Sequence, residues 1–409
     1  MNHLAGNTKN QYFWGVKSRV LKILFILPRF PWPLEKGDKL RAFHFIRLLS
    51  ENHEVHLFAL SDRLVKKDDY AAILPYCQSL EVAYCSKWRI FRGLIWAGVR
   101  RLPFQVGYFY HREARGRIAS LANRISPDLV FCQLVRVAHY ADRLPGVKMI
   151  DFQDALSLNL ARRAHASRGL KRLFFMWESN LLQRYEVRVL RMFDLHLIIS
   201  QPDKDAIAHA DRERILVVPN GVDYDYFSAD QDAVKSYDIV FTGNMSYAPN
   251  VEGAVWLAKE ILPLVREHIP GATLLLAGSS PVKAVKELES DGIRVTGWMP
   301  DIRNAYNSSK VFVAPMLTGS GLQNKLLEAM AMELPCITTS LANDALQARD
   351  RDEIIVADSA GDIASAIAAL LTDEGLAKNI ATAGNKMVRR KYCWRAVLSR
   401  LNVETIQKL

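Results

Sequence analysis

The sequence predicts an α/β protein with two doubly wound parallel sheets in series. Short apolar runs rich in β-branched residues alternate with helical stretches through the first half of the chain, an alternation typical of parallel sheets. The same rhythm starts again after Asn220. At 409 residues the chain is long enough for two domains of ordinary size.

The first domain is predicted to hold seven strands. The runs that indicate them share an apolar composition and lie at residues 22–27, 54–60, 80–85, 128–134, 148–152, 195–200 and 215–220. A long proline-rich loop follows the first run, and a helix is predicted at residues 40–50.

The second domain is predicted to hold six strands, at residues 238–243, 272–278, 293–299, 311–316, 336–340 and 353–357. Turn-forming residues at 221–232 indicate the linker. We therefore expect domains at residues 1–221 and 222–392, and a C-terminal segment, 393–409, whose helix crosses back onto the first domain. Because ligands bind beyond the carboxyl ends of parallel strands, two such domains facing each other would form a cleft.

Charge is distributed unevenly along the chain, whose net charge is +11. Residues 1–220 carry 35 Lys and Arg against 20 Asp and Glu, whereas residues 221–409 carry 19 against 23. A basic first half indicates that this domain faces an anionic partner. Nucleic acid is one such partner, but no helix-turn-helix, OB or RRM signature supports it, and we expect no nucleic-acid binding.

Cysteine and histidine usage argues against a disulfide framework and against a metal site. The five cysteines are an odd number without a CxxC pair, and the ten histidines show no HExxH or other ligand spacing. No apolar run approaches the length of a membrane-spanning helix, and the run at residues 21–27 is too short for a signal peptide. We therefore expect a cytoplasmic protein without a bound metal.

One stretch, residues 311–340, reads as strand, glycine loop, helix and strand. Gly319 and Gly321 provide backbone freedom in the loop, and the N–H groups at the start of the helix form an anion site. Lys325 lies in the first turn, and Glu328, on the same face, can accept hydrogen bonds from a ribose diol. The stretch predicts a cradle for a sugar nucleotide; the alternative is an ordinary α/β crossover with a solvated lysine and glutamate.

Six segments in order carry a resemblance to a known family. They are PRFPWPLEKGDKLRAFHFIRLLS near the start, DFQDALS at 151–157, ESNLLQRYEVRVLRMFD at 178–194, VVPNGVDYDYF at 217–227, FTGNMSYAPNVEGAVWL at 241–257 and GSGLQNKLLEAMAMELP at 319–335. Together they resemble the retaining GT-B glycosyltransferases of family 4, and more narrowly the sugar transferases of bacterial PEP-CTERM/exosortase exopolysaccharide systems. The resemblance implies two Rossmann-like domains, with the acceptor held mainly by the first and the donor mainly by the second.

The resemblance also implies which residues bind the nucleotide-diphosphate sugar. The candidates follow strand ends or open helices, and they are Gly37, Gly243, Asn244, Ser320, Gly321, Leu322, Asn324, Lys325 and Glu328. No further cofactor and no metal ion are implied.

The chain departs from the family pattern at three places. Relatives follow the glycine at position 243 with an Arg and a Lys, but this chain has no basic residue there before Lys259. Ser320 replaces the first of two glutamates, and Glu333 stands where relatives have a glycine at the helix end. The first departure leaves Lys325 and the helix N-terminus to hold the diphosphate. If position 333 needs a left-handed conformation, glutamate costs about 1 kcal/mol there.

Acceptor-side and catalytic candidates come from the first two segments and from Lys325. Arg41 and Asp151 are predicted on the acceptor side, and Gln153 and Asp154 join Lys325 as catalytic candidates. Many relatives have a histidine near this position that contacts the transferred sugar, and Gln153 is the nearest match in this chain. An amide can bind a sugar hydroxyl but cannot carry a proton. Capping of the next helix is the alternative for Asp154.

Two other groups of charged residues have interpretations of their own. Glu178 and Glu186 are predicted to form ion pairs on a solvated helix face rather than a catalytic pair. Residues 87–117, from Lys87 to Arg117, interleave aromatic residues with arginines, which suits an anionic membrane surface and a lipid-linked acceptor. The alternative is that the aromatic rings are core and the arginines solvated.

The resemblance therefore predicts a retaining, hexosyl-type glycosyltransferase of exopolysaccharide synthesis. It would move a sugar from a nucleotide-diphosphate donor to a glycan or lipid-linked acceptor, as a cytoplasmic protein peripheral to the inner face of the membrane. A nucleotide-sugar epimerase of GT-B fold and a degenerate, non-catalytic sugar-nucleotide binder are the alternatives.

Overall fold

The computed structural model describes residues 19–165, 167–319 and 321–401. Contacts within the chain divide it into two compact units. One unit runs to Asp151 and takes in Met192–Asp194, and the other comprises Phe152–Arg191 and the chain from Leu195 onward. The domain boundaries expected from the sequence stay predictions.

The first seven strands form one parallel sheet in the order β3-β2-β1-β4-β5-β6-β7. They are β1 Lys22–Leu27, β2 Glu54–Ser61, β3 Ser79–Tyr84, β4 Leu129–Gln133, β5 Val147–Asp151, β6 Leu195–Ile198 and β7 Ile215–Val217. All seven predicted strands are present, within three residues of their predicted ends.

The next six strands form a second parallel sheet in the order β10-β9-β8-β11-β12-β13. They are β8 Tyr237–Thr242, β9 Leu274–Ala277, β10 Ile293–Gly297, β11 Ser309–Ala314, β12 Cys336–Thr338 and β13 Ile355–Val356. The prediction of two parallel α/β sheets in series is confirmed.

Seventeen α-helices lie between and after the strands in the described residues. Eight belong to the first half: α1 Gly37–Leu49, α2 Lys67–Ile73, α3 Lys87–Val99, α4 Phe104–Tyr108, α5 Arg112–Ile125, α6 Leu156–His165, α7 Gly169–Met192 and α8 Gln201–Ala206. Nine follow: α9 Ala248–Trp256, α10 Leu262–His268, α11 Lys283–Lys286, α12 Arg303–Asn307, α13 Asn324–Ala331, α14 Ser340–Leu346, α15 Ala360–Thr372, α16 Glu374–Tyr392 and α17 Trp394–Ser399. None of these helices is both long enough and apolar enough to cross a membrane.

The strands are continuously apolar because both faces of each sheet are covered. In β1 every residue after Lys22 is buried. Phe25 packs against Phe131 of β4, with ring centroids 4.7 Å apart, and Phe45 of α1 packs against the same ring. This burial holds the sheets rigid and so fixes where the strand ends lie.

Each sheet reverses its strand order at one point, and such switch points are where doubly wound sheets bind ligands. In the first sheet the switch lies between β1 and β4, where Gln133 Nε2 donates to the Asp38 carbonyl oxygen at 2.8 Å. In the second it lies between β8 and β11. A Cβ atom on Gly278 would lie 1.8 Å from the Gly243 carbonyl oxygen, so glycine is required where the ends of β8 and β9 meet.

The C-terminal segment is described as far as residue 401. Its helix α17 begins at Trp394, whose ring packs so closely on Gly221 that a Cβ atom there would lie 2.7 Å away. Residues 402–409, which complete the predicted helix, lie outside the described residues, and the crossing back onto the first domain stays a prediction.

Helix α13 ends in a left-handed turn at Glu333, where φ is +55°. The Leu334 N–H donates to the Ala329 carbonyl oxygen at 3.0 Å, the long bond of a Schellman motif, which favours glycine at this position. The conditional expectation about Glu333 is thus met, since the position does adopt the conformation that disfavours a side chain.

We expect Glu333→Gly to raise the free energy of unfolding by about 1 kcal/mol because it relieves this conformation. Glu333→Ala is the matched control, since it removes the contact with Gln231 Nε2 but keeps a Cβ atom. Urea unfolding of the three proteins checks this, and equal stability of the glycine and alanine variants would contradict it.

Candidate active site

Lys325 is half-buried at the switch point of the second sheet. It is the second residue of α13, and its ammonium group donates to Asn250 Oδ1 at 2.5 Å and lies 4.6 Å from the centre of the Phe241 ring. Met316 Sδ lies 3.7 Å away. A neutral oxygen, an aromatic face and a thioether surround the charge, so among the described residues its immediate contacts contain no carboxylate.

This environment weakens the ammonium form. Burial lowers the pKa of Lys325 to about 7, and the Glu328 carboxylate on the same helix offsets only part of that effect. A bound anion would restore the charge, because an opposite charge within a few ångströms favours the ionised form.

Glu328 lies one turn further along α13 and is held by a hydrogen-bonded chain. The Tyr306 hydroxyl donates to Glu328 Oε2 at 2.7 Å and pairs with Thr242 Oγ1 at 2.8 Å. Burial raises the pKa of Glu328, while the bond from Tyr306 opposes the rise. The chain connects the last residue of β8 to the carboxylate predicted to bind ribose.

Asn250 connects the loop after β8 to Lys325. Its Nδ2 donates to the Asn244 carbonyl oxygen at 2.9 Å while its Oδ1 accepts from Lys325. A Cβ atom on Gly243 would lie 2.7 Å from this Nδ2, so a side chain at 243 would displace the amide. The Asn244 side chain accepts from the N–H and hydroxyl of Ser246 and so closes a turn.

The other predicted donor residues lie in and around the glycine loop. Gly319 adopts a φ of +93°, as predicted, whereas Gly321 is exposed, has no positive φ and has open space around it. Leu322 packs against the core of the second unit, and Asn324 opens α13 with its Oδ1 buried and without a partner among the described residues. Ser320 lies outside the described residues.

In the first unit, Gly37 opens α1 and has no neighbouring atom within 4 Å of a built Cβ. Arg41, on the same helix, is fully buried against Asp151 at the end of β5, and both side chains are 0% exposed. Arg41 Nε lies 2.7 Å from Asp151 Oδ2, and its Nη2 lies 3.1 Å from Oδ1. The two residues form a bidentate ion pair that ties α1 to the sheet and presents no surface to a substrate, which favours a structural role, and their acceptor-side role stays a prediction.

Gln153 has the geometry expected of a functional residue. Its φ is +61°, which is uncommon for a residue with a side chain, and it is 5% exposed. Its Nε2 is buried without a hydrogen-bond partner. Strain and an unpaired buried donor tend to collect at binding sites. Asp154 is half-buried just before α6.

Glu178 and Glu186 do not lie on a solvated face, and this expectation was wrong. Both are buried in α7. Glu186 accepts from the N–H and the hydroxyl of Ser157 at 3.0 and 2.6 Å, near the start of α6, and burial raises its pKa to about 7. Its contacts are structural.

The segment 87–117 divides between core and surface. Trp88, Phe91, Ile95 and Val99 are exposed, at the 3-4-4 spacing of one face of α3. Trp96 instead stacks on Tyr110 with ring centroids 3.8 Å apart. The core interpretation therefore holds for some of the aromatic rings, and the membrane-surface interpretation stays a prediction.

The sequence did not indicate that four further residues belong to the site. They are Thr242, Phe241, Asn250 and Tyr306. Asn250 and Tyr306 are 75 and 22 residues from their partners on α13, and nothing in their local pattern marks them. In the described part of the chain, no three His, Cys, Asp or Glu residues cluster closely enough to hold a metal ion.

Residues 236–373 match the family described as glycosyl transferases group 1. A relative from Klebsiella pneumoniae, named "Uncharacterized 44.6 kDa protein in cps region", is 20% identical over 82% of this chain and 87% of its own length. A phosphatidyl-myo-inositol mannosyltransferase from Mycobacterium leprae (strain TN) is 28% identical over 45% of this chain and 51% of its own.

The fold has solved counterparts. The Anabaena Alr3699/HepE structure in complex with UDP superposes with a TM-score of 0.65 at 14% identity, covering 95% of this chain and all of the other. Sucrose-phosphate synthase from Thermosynechococcus elongatus gives a TM-score of 0.64 at 15% identity, covering 95% and 98%. The predicted GT-B fold and the predicted glycosyltransferase class are confirmed.

If the Arg41–Asp151 pair is structural, Asp151→Ala lowers the free energy of unfolding by about 3–5 kcal/mol because a buried charge loses its partner. The double change Arg41→Met with Asp151→Leu recovers most of that loss. Urea unfolding measures both, with exposed Lys283→Ala as the control. A stable Asp151→Ala protein that loses acceptor turnover would restore the acceptor role.

Because the lowered pKa leaves Lys325 largely neutral above pH 7, binding of a nucleoside diphosphate at pH 8 should take up about one proton. By the same linkage, the contribution of Lys325 to the stability of the unliganded fold rises as pH increases from about 7 toward the ordinary lysine pKa. Titration calorimetry in two buffers of different ionisation enthalpy measures the uptake. Lys325→Met abolishes it, Lys283→Met preserves it, and a buffer-independent enthalpy for the unmodified protein would contradict the assignment.

Proposed function

We propose that the protein is a retaining glycosyltransferase that moves a hexose-type sugar from a nucleotide-diphosphate donor to a lipid-linked glycan. The observation that carries the proposal is Lys325, whose ammonium is half-buried at the switch point of the second sheet, with no carboxylate of the described residues in contact. Such a cation is stabilised by an anion that the protein itself does not supply.

The diphosphate and the ribose of the proposed donor match the spacing of Lys325 and Glu328 along α13. Lys325 and the N–H groups at the helix start would hold the diphosphate, and Glu328, oriented by Tyr306, would accept hydrogen bonds from the ribose hydroxyls. Alr3699/HepE, which shares the fold, has been crystallised with UDP and with UDP-glucose, and these ligands support a uridine nucleotide as the first donor to test.

The chemistry then depends on positioning and on charge. The bond between the sugar and the diphosphate breaks as negative charge accumulates on the leaving oxygens, and a preorganised cation at that point lowers the barrier. Lys325 supplies that cation. Gln153 offers its unpaired Nε2 to a sugar hydroxyl, in agreement with its expected sugar contact.

The acceptor assignment has separate support. The relative in a cps region points to capsule or exopolysaccharide synthesis, and the mannosyltransferase relative is named for a phosphatidylinositol acceptor. The exposed apolar face of α3, flanked by arginines, would bring a cytoplasmic enzyme to the inner membrane surface. The narrower link to PEP-CTERM/exosortase systems draws no support from these relatives and stays a prediction.

A thermal-shift screen of nucleotides and sugar nucleotides tests the donor site. A uridine or guanosine diphosphate sugar should stabilise the unmodified protein, and Lys325→Ala and Glu328→Ala should weaken the shift. Lys283→Ala and Glu287→Ala are matched controls because they remove the same residue types from an exposed pair in the same unit. Variants that shift as much as the unmodified protein would refute the assignment.

Turnover of the donor that this screen identifies distinguishes a glycosyltransferase from a non-catalytic binder and from an epimerase. With a lipid-linked glycan acceptor, we expect sugar transfer with the anomeric configuration kept, read by NMR, and a loss of about 100- to 1,000-fold in kcat for Lys325→Ala. Donor binding without transfer or hydrolysis would instead identify a non-catalytic binder, and an altered free sugar nucleotide would identify an epimerase.

A further inference from the structure

A second basic and apolar surface lies where α6 meets α7. The sequence from Ala155 to Trp177 contains no Asp or Glu, although it contains five Arg and Lys residues. We call residues 162–165 and 167–177 the α6–α7 corner. Its basic residues are Arg162, Arg163, Arg168, Lys171 and Arg172.

Large apolar side chains of the corner are exposed to solvent. Leu170 is 85% and Leu173 is 63% exposed, and Phe174, Met176 and Trp177 are also exposed. Phe175 alone among residues 170–177 is half-buried. Later in α7, from Glu178 onward, the apolar residues return to the core, so the helix changes from exposed to buried along its length.

An apolar surface of this kind marks an interaction site, and its charges indicate the partner. Because the corner itself contains basic residues and no Asp or Glu, it favours a partner that is both anionic and apolar. A protein partner would usually supply carboxylates to one basic patch and apolar side chains to another. A bilayer with anionic lipids presents both in one plane, with Trp and long basic side chains at its interface.

A cavity beside the corner adds to the match. It has a volume of about 150 Å³ and lies between α6 and α7, and its lining includes His165, Arg172, Met176 and Asn180. Arg172 beside Met176 suits the phosphate of a lipid headgroup and the first carbons of its acyl chains.

We propose that the α6–α7 corner binds the surface of anionic phospholipid bilayers, with Leu170, Leu173, Phe174 and Trp177 inserted among the headgroups. This surface is separate in sequence from α3. The inference does not depend on the proposed donor or reaction, because the corner contains none of the donor-site residues.

The test is co-sedimentation of the full chain with vesicles of phosphatidylglycerol and phosphatidylcholine, and with vesicles of phosphatidylcholine alone. We expect binding to the anionic vesicles only. Leu170→Glu with Leu173→Glu should weaken binding by about tenfold or more. Lys171→Gln with Arg172→Gln should weaken it about fivefold per charge.

Matched control variants test whether a loss of vesicle binding is specific to the α6–α7 corner. Leu64→Glu with Val234→Glu places the same charges at exposed apolar positions elsewhere, and Lys283→Gln with Lys286→Gln removes two lysines from α11. Both controls should bind as the unmodified protein does. Trp88→Ser with Phe91→Ser on α3 measures the other surface and should leave the effect of the corner variants in place. Thermal unfolding and turnover of a water-soluble acceptor should be unchanged in every corner variant.

Three results would overturn the inference. The first is an absence of vesicle binding by the unmodified protein, and the second is unchanged binding by the Leu170→Glu and Leu173→Glu variant. The third is a concentration-dependent dimer, seen by sedimentation equilibrium and abolished by that variant without any vesicle binding, which would assign the corner to a second copy of the chain. Donor thermal shifts persist under all three, so failure here is distinguishable from failure of the proposed function.

Discussion

The second unit depends on one unfavourable arrangement, a lysine ammonium half-buried among an amide oxygen, an aromatic ring and a thioether. Removing an ammonium from water costs several kcal/mol unless a charge compensates for it. In Lys325 the compensation from Glu328 is partial, as the lowered pKa shows. The surrounding structure therefore leaves this ammonium only partly compensated at the carboxyl ends of β8 and β11, which is the property that the proposed diphosphate site requires.

The first unit contains the opposite case. Arg41 and Asp151 are as deeply buried as any residue of the described chain, yet two nitrogens of the guanidinium, Nε and Nη2, each contact an oxygen of the same carboxylate. The comparison separates two uses of buried charge. A buried ion pair whose charges compensate each other stabilises the packing of two elements. A buried charge without a full counter-charge favours the binding of an oppositely charged ligand. Gln153, with its strained backbone and unpaired amide, belongs with Lys325 in this respect.

The fold could be predicted almost strand by strand because each parallel strand is a continuous apolar run bounded by turn residues. Lys325 and Glu328 could be proposed as donor-binding residues because a glycine loop and a helix start are local patterns. Asn250 and Tyr306 could not, since their roles arise from contacts between distant elements. The two glutamates of α7 were misjudged because charged residue types suggest exposure, whereas burial with a partner is a property of the tertiary structure. Glu333 was read correctly because a helix end has a local conformational requirement.

The two hydrogen bonds that connect Thr242, Tyr306 and Glu328 run in one direction. Tyrosine has a single hydroxyl proton, and because that proton goes to the Glu328 carboxylate, Thr242 must be the donor of the other bond. These bonds fix the position of the carboxylate relative to the end of β8. Gly243 follows the same strand end, and Asn250 connects the loop after it to Lys325. If the proposed donor binds here, the fixed separation of Glu328 and Lys325 would favour ligands whose ribose hydroxyls and diphosphate are separated by a matching distance.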